Sequence, residues 1–247
     1  MLRGFATGIG MLARGFGFWG RRPGVMLLGL VPAAIVFVLI VAALVALGLN
    51  VVPLVDAITP FADGWPEFWA TGLRVLTGAL LFGVVIVLAA VTFTALTLAI
   101  GDPFYERIWR AVELELGGEV PVAGAGLWRS IRDGAVLIGL GIVTAIGVGI
   151  IGFIPVVGSI AAPVLGVVLS GRLLAIELTS RAFEARGMSS AQRKAVLRSR
   201  RGQVLGFGVA TQLLFLIPLG AVFTMPAAVA GSTMLARGAL DAVPTPR

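Results

Sequence analysis

A chain with no histidine and no cysteine keeps few residues that can do chemistry. Disulfides, thiolate metal sites, cysteine nucleophiles and imidazole acid–base catalysis are all excluded. What remains is arginine, present 18 times against one lysine, together with twelve carboxylates; the net charge is +7. The constellations worth reading are therefore basic ones.

Arg21 and Arg22 stand directly before Pro23 and Gly24. Proline is favoured in the first turn of a helix, so Pro23 is expected to open a span. The free N–H groups of a helix start attract anions, and two guanidinium groups beside them would suit a divalent oxyanion. Anchoring at the cytoplasmic interface accounts for the same arginines more simply. Arg107 and Arg110 follow the second apolar run, with Glu106 and Glu113 on adjacent turns, and Arg129 and Arg132 stand at the start of the third. They suit either an anion path or a solvated, salt-bridged surface helix. Arg172 interrupts an apolar run, which makes it a functional candidate by default. The bland alternative is that it snorkels to the interface with Glu177 as partner.

Other motifs carry less. Asp102 and Glu106 form a possible carboxylate pair on one helical face, although Asp102 is more simply the cap of a helix opened by Pro103. Gly147, Gly149 and Gly152 match the spacing of a dinucleotide fingerprint. They lie in an apolar run of lipid-spanning length, with no preceding strand and no acidic residue about 20 positions on. No phosphate-binding loop exists, so the chain alone is not expected to be an ATP-driven pump. No catalytic set, metal cluster or cofactor is implied.

The elements that must position these groups are set by hydropathy. The 247 residues are 58% hydrophobic and only 13% charged, with a mean hydropathy of +1.04. A soluble domain is about half apolar and about a quarter charged, so lipid is the solvent for much of this surface. Residues 25–49, 75–100, 134–171 and 202–236 carry no charge. At about 1.5 Å per residue the first two suit single spans across about 30 Å of hydrocarbon. The last two are too long for one helix and contain Pro155 with Gly158, and Pro218 with Gly220. Proline disrupts a helix interior, so residues 134–176 and 202–236 read as helical hairpins, with Pro163 and Pro226 as further breaks. Residues 203–217 reach only about 22 Å as helix, so the second hairpin is expected to cross in part. The fold class is thus all-α, with two transmembrane helices and two hairpins that penetrate partly or fully. Residues 2–19 read as an amphipathic surface helix with Phe5, Ile9, Leu12, Phe16 and Trp19 near one face.

The hairpins resemble one another weakly at an offset of 63 residues: Ile154-Pro155 maps onto Ile217-Pro218, Pro163 onto Pro226, and Gly139 onto Gly202. Small residues recur every fourth position at Gly141, Ala145 and Gly149, and again at Gly158, Ala162, Gly166 and Ser170, a spacing that permits close helix contact. Arginines cluster in 1–24, 101–133 and 177–201, whereas loop 50–74 is acidic and the hairpin tips carry no basic residue. The positive-inside rule places both termini and the segments 101–133 and 177–201 in the cytoplasm. Arginines placed between apolar runs are topology anchors and lipid contacts, which argues against a nucleic-acid partner.

Four pieces, in order along most of the chain, resemble the CysZ family of bacterial sulfate permeases within the wider etoposide-induced-protein-like group. They are Arg22-Pro23-Gly24 followed by Pro32, Asp102-Pro103-Phe104 leading to Glu113, Phe153 through Gly158 at a hairpin tip, and the basic stretch Arg186–Arg201 running into Gly202 and Leu205 through Gly208. The resemblance implies two long spans, two partly penetrating hairpins and homo-oligomers built from dimers. It also implies inner-membrane sulfate uptake for cysteine synthesis without an ATPase. The family pattern carries arginine just after the Pro-Gly, at a sulfate-binding position; here Val25, Met26 and Leu27 follow Gly24. Either Arg21 and Arg22 substitute, or sulfate does not bind there.

Overall fold

The computed structural model describes residues 1–117, 120, 127–155, 157–217 and 219–241, with backbone alone at 94, 95, 98, 127–131, 133, 134 and 157. Among these, the regular structure is helical: α1 (Leu2–Arg21), α2 (Pro23–Leu28), α3 (Val31–Ile58), α4 (Glu67–Glu115), α5 (Leu127–Gly152), α6 (Val157–Glu184), α7 (Ser190–Ser199), α8 (Arg201–Phe215) and α9 (Gly220–Leu240). A single 3-10 turn covers Pro60–Ala62. Pro23–Ile58, Glu67–Phe93, Ala135–Gly152 and Gly158–Glu184 are long and apolar enough to cross a membrane. The protein is an all-α integral membrane protein, as its composition requires.

The chain divides into two units, Val31–Asp102 and Met1–Leu30 with Pro103–Arg247. Within Val31–Asp102, a Cβ built on Gly78 would touch Val51 and Val55, and one on Gly48 would touch Phe82, so α3 and the first part of α4 run antiparallel. Phe37, Val84 and Val91 are each more than half exposed, and the most apolar window of Glu67–Phe93 buries no residue. Such a surface is stable against hydrocarbon. At one end Arg74 reaches Asp56 at 3.1 Å and Asp63 at 2.5 Å, so the one cation of the acidic loop is answered by two carboxylates.

Two helix boundaries differ from the sequence reading. The run 25–49 is interrupted at Gly29 and Leu30, between α2 and α3. Pro32 cannot donate to the preceding turn, and Gly29 lies so close to Pro226 that a Cβ would meet its Cγ at 2.6 Å. Asp102 is not a cap, because α4 continues through Pro103 to Glu115.

In the larger unit, α1, α6, α8 and α9 pack through backbone-to-backbone contacts that only glycine allows. A Cβ on Gly8 would lie 2.1 Å from the Gln203 carbonyl oxygen, one on Gly15 2.0 Å from that of Ala227, and one on Gly208 2.0 Å from that of Gly171. Gly8, Leu12, Gly15 and Phe18 form the buried face of α1, while Ile9 and Phe16 stay exposed on another. Of the two small-residue stripes, Gly158, Ala162 and Gly166 face α5, whereas Gly141 and Gly149 meet nothing within 4 Å. α9 is buried on most sides, and its Ser232 hydroxyl donates to the Leu178 carbonyl oxygen of α6 at 3.0 Å.

The hairpin turns fall where the sequence places them, and Pro155 lies in the turn between α5 and α6. Pro218 lies outside the described residues. Three expected breaks are corrected: Gly158 is in the first turn of α6, and Pro163 and Pro226 lie inside α6 and α9. An interior proline costs about 3 kcal/mol or more in water; Pro226 is itself buried, packed against Gly29, whereas Pro163 is exposed on α6, a helix apolar enough to span a membrane, where such prolines are tolerated. The repeat extends to the helix ends. α5 ends at Gly152 and α8 at Phe215, α6 begins at Val157 and α9 at Gly220, each pair 63 residues apart.

One buried charge ties three elements together. Glu113 on α4 is fully buried, accepting from Arg186 at 2.9 and 2.7 Å and from Arg237 of α9 at 3.5 Å. Arg186, just beyond α6, also donates to the Ala182 carbonyl oxygen at 2.6 Å.

Two stability outcomes follow, both measured as denaturation midpoints in detergent. Gly208→Ala places a methyl against backbone and should cost about 1–3 kcal/mol or more, while Gly141→Ala, which meets open space, should gain about 0.5–1 kcal/mol. Glu113→Ala leaves two arginines facing a vacated carboxylate and should cost about 3–5 kcal/mol, the usual loss for a broken buried pair.

Candidate functional site

A cleft of about 1670 Å³ lies within the larger unit. Its walls are the last turns of α4, the first half of α5, the second half of α6, and α7 with the start of α8. Eight basic side chains line it against three carboxylates, Glu106, Glu177 and Glu184. The charged groups gather where α5 begins and α6 ends. Farther along the hairpin the walls become apolar, through Leu140 to Thr144 on α5 and back along Val168 and Leu169 on α6.

The sequence explains the shape locally. α6 presents a ladder of alternating sign to the cleft: Glu177, Arg181 and Glu184 share one face at i, i+4 and i+7, and Arg172 stands five residues before Glu177. Over twelve residues that ladder spans about 18 Å. α7 begins at a capping box in which the Gln192 amide donates to Ser189 Oγ at 3.3 Å and the Ser189 amide to Gln192 Oε1 at 2.8 Å. The box fixes the start of α7, from which Arg193, Lys194 and Arg198 line the cleft, and Arg201 joins them from the first turn of α8.

The cations divide by partner. Glu106 accepts from Arg110 at 2.5 and 3.0 Å and lies 3.9 Å from Arg181. Glu184 accepts from Arg193 at 2.6 Å. Arg172, Lys194, Arg198 and Arg201 have no carboxylate partner among the described residues. On the α4 wall, the buried Trp109 indole N–H has no acceptor among the described residues, a donor that ordinarily demands one. One turn earlier the buried Tyr105 hydroxyl is equally unsatisfied, and burial pushes its pKa from 10.0 up to about 12.

The residues singled out from sequence are thus sorted. Arg110, Arg132 and Arg172 line the cleft. Arg107 does not; its guanidinium sits 5.7 Å from the Phe104 ring. Arg129 lies on α5, its side chain outside the described residues. Arg21 and Arg22 share one carboxylate, Glu115, at 2.8 and 3.5 Å, and neither lines the cleft. Arg21 also stacks 4.5 Å over Phe18, and Gly24 is exposed with open space around it. The sequence reading uses Arg181, Arg193, Lys194, Arg198 and Arg201 as topology markers, and the last four also as part of the basic stretch that carries the family resemblance, but names none of them as an anion ligand. They come from three helices, Arg181 from α6, Arg193, Lys194 and Arg198 from α7, and Arg201 from α8, so only the packing of those helices brings them to one cleft.

Fold and cleft together define a polytopic helical membrane protein with a basic cavity suited to small anions. The chain belongs to the family described as Sulfate transporter CysZ/Etoposide-induced protein 2.4, which it matches over residues 11–226. Two proteins named Sulfate transporter CysZ, from Pseudomonas fluorescens strains Pf0-1 and Pf-5, are 31% and 33% identical to it over 219 residues, 86% of each chain.

Tyr105 is the only tyrosine, so alkaline absorbance titration reads it alone. The midpoint should lie near 12 in the folded protein and near 10.0 after unfolding. Between those values the unfolded chain loses the proton first, so stability should fall with rising pH through that window. A folded midpoint at 10 would contradict the burial of this hydroxyl.

Proposed function

We propose that this protein is a channel-like sulfate permease of the bacterial inner membrane, feeding cysteine synthesis, and that sulfate binds in the basic cleft. The observation that carries this reading is the set of four cations, Arg172, Lys194, Arg198 and Arg201, that have no carboxylate partner among the described residues. Charges left uncompensated in a concave, partly apolar wall attract a divalent oxyanion from water, because the low-dielectric walls concentrate their field. The sulfate-transporter relatives support the choice of anion. The positive-inside rule favours both termini and the cleft mouth on the cytoplasmic side. The absence of a nucleotide-binding motif in the sequence favours movement down a gradient. Homo-oligomers built from dimers fit the family resemblance.

A second reading is a non-transporting protein that shapes the bilayer or scaffolds partners. It is favoured by Val25, Met26 and Leu27 standing where the family carries arginine, and by the exposed Ile9 and Phe16 of α1, which suit insertion into one leaflet.

Labelled sulfate uptake into proteoliposomes decides between them. The permease reading expects uptake well above empty vesicles. Each charge-assisted hydrogen bond contributes about 1.5–3 kcal/mol, so Arg198→Gln with Arg201→Gln should weaken sulfate binding at least about tenfold. Arg21→Gln with Arg22→Gln should change it by less than about twofold, because Glu115 already compensates that pair. Uptake equal to empty vesicles would remove the permease reading; a large loss only in the second variant would move the site to the start of α2.

A further inference from the structure

Within the cleft the cations fall into a clamped set and an open set, and the clamp nearest the open set is Glu184. Its carboxylate holds Arg193 at 2.6 Å, with both side chains mostly shielded from water, at 24% and 12% exposure. Arg193 is next to Lys194 and just over one turn before Arg198 on α7, and all three line the same cavity as Glu184. The site thus contains its own anion. We propose that Glu184 is a built-in competitor that sets anion affinity and release: it occupies the Arg193 guanidinium when the cleft is empty and yields it to an entering oxyanion. The proposal rests on the cleft being the anion site.

The physical case is one of balance. A cavity lined by uncompensated cations binds a divalent anion tightly but releases it slowly, and conduction requires binding weak enough to leave. A carboxylate that can return to its guanidinium lowers the cost of emptying the site, because the departing anion never leaves Arg193 unpaired in a shielded position. The same carboxylate raises the threshold for occupancy. A doubly charged oxyanion gains more from Arg193 together with Lys194 and Arg198 than a single carboxylate does from Arg193 alone, so it displaces Glu184. Chloride carries one charge and no fork of acceptors to match a guanidinium, so it does not. Displacement raises the apparent dissociation constant of any anion that must take Arg193, and the larger gain of a divalent oxyanion offsets it where that of chloride does not. That difference leaves sulfate in a usable range and puts chloride beyond it. Glu106 clamps Arg110 in the same manner, but at i and i+4 of one helix, with Arg181 of α6 farther off at 3.9 Å. The Glu184–Arg193 pair joins α6 to α7, so its exchange reports on the cavity.

The test is sulfate titration of the purified full-length protein by calorimetry, in gluconate and in chloride buffers of equal ionic strength. It is paired with uptake rates in proteoliposomes. For Glu184→Gln the proposal expects sulfate affinity to rise at least about tenfold in gluconate, and chloride to become a measurable competitor where it is not one for wild type. Uptake should reach half-maximum at lower sulfate but saturate at a lower rate. Glu184→Asp keeps the charge on a shorter reach, loosens the clamp and should fall between wild type and the Gln variant. It also serves if the Gln variant fails to fold. Wild-type binding with unchanged or weaker affinity in the folded variants would overturn the competitor role and leave the permease reading standing. No binding by wild type or either variant would overturn both. Binding by the Gln variant where wild type shows none would support both, since the internal carboxylate would then be the reason wild type is silent.

Discussion

A fully buried carboxylate is the constraint on which the larger unit depends. Glu113 has no contact with water, so it must be met by charge within the fold, and it is met by Arg186 beyond α6 and Arg237 of α9. An isolated charge at such a position would cost several kcal/mol after relaxation. The pairing therefore holds three chain segments in a fixed relation, the end of α4, the end of α6 and the length of α9. Two of these are walls of the basic cleft. Because Arg186 is consumed in this way, it does not line the cavity, and the charges that do are the neighbours it leaves.

Elsewhere in that unit, cohesion comes from close approach. In lipid there is little hydrophobic drive to join apolar helices, so contact area and backbone proximity must supply the attraction. The crossings at Gly8, Gly15 and the Gly171–Gly208 pair bring carbonyl oxygens to where any side chain would collide. They hold α1 against α8 and α9 and set α6 against α8, so the ladder on α6 and the basic face of α7 and α8 meet at a defined separation. The Val31–Asp102 unit has a different economy. Its helices touch through a few valines and Phe82, and most of its apolar surface faces outward.

The chain belongs to a family described as Sulfate transporter CysZ/Etoposide-induced protein 2.4, and its larger unit holds a cation-rich cleft. The cleft adds a distinction that composition cannot draw. Some arginines are spent on carboxylates for structure, as at Glu113 and Glu115, some pair with carboxylates inside the cavity, and some have no carboxylate partner among the described residues. Function in a basic membrane protein follows from that partition more than from the total of its charges.

The sequence alone determined that the chain is helical and membrane-embedded, because run length and hydropathy are local properties that act on each segment separately. It also placed the turns at Pro155 and near Gly220, where proline and glycine restrict the backbone directly, and it carried enough of the family pattern in Arg22-Pro23-Gly24, Asp102-Pro103-Phe104 and the stretch after Arg186 to be recognised. Tertiary structure decided which arginines are available. Arg21 meets a carboxylate 94 residues away, and Arg186 and Arg237 meet Glu113 from 73 and 124 residues away. No spacing rule along the chain encodes such pairings. It decided as well that Pro163 and Pro226 lie within helices, which their local preference to break does not foretell. Ion pairing and packing are properties of what surrounds a residue in space, and for this protein those surroundings are assembled from both ends of the chain.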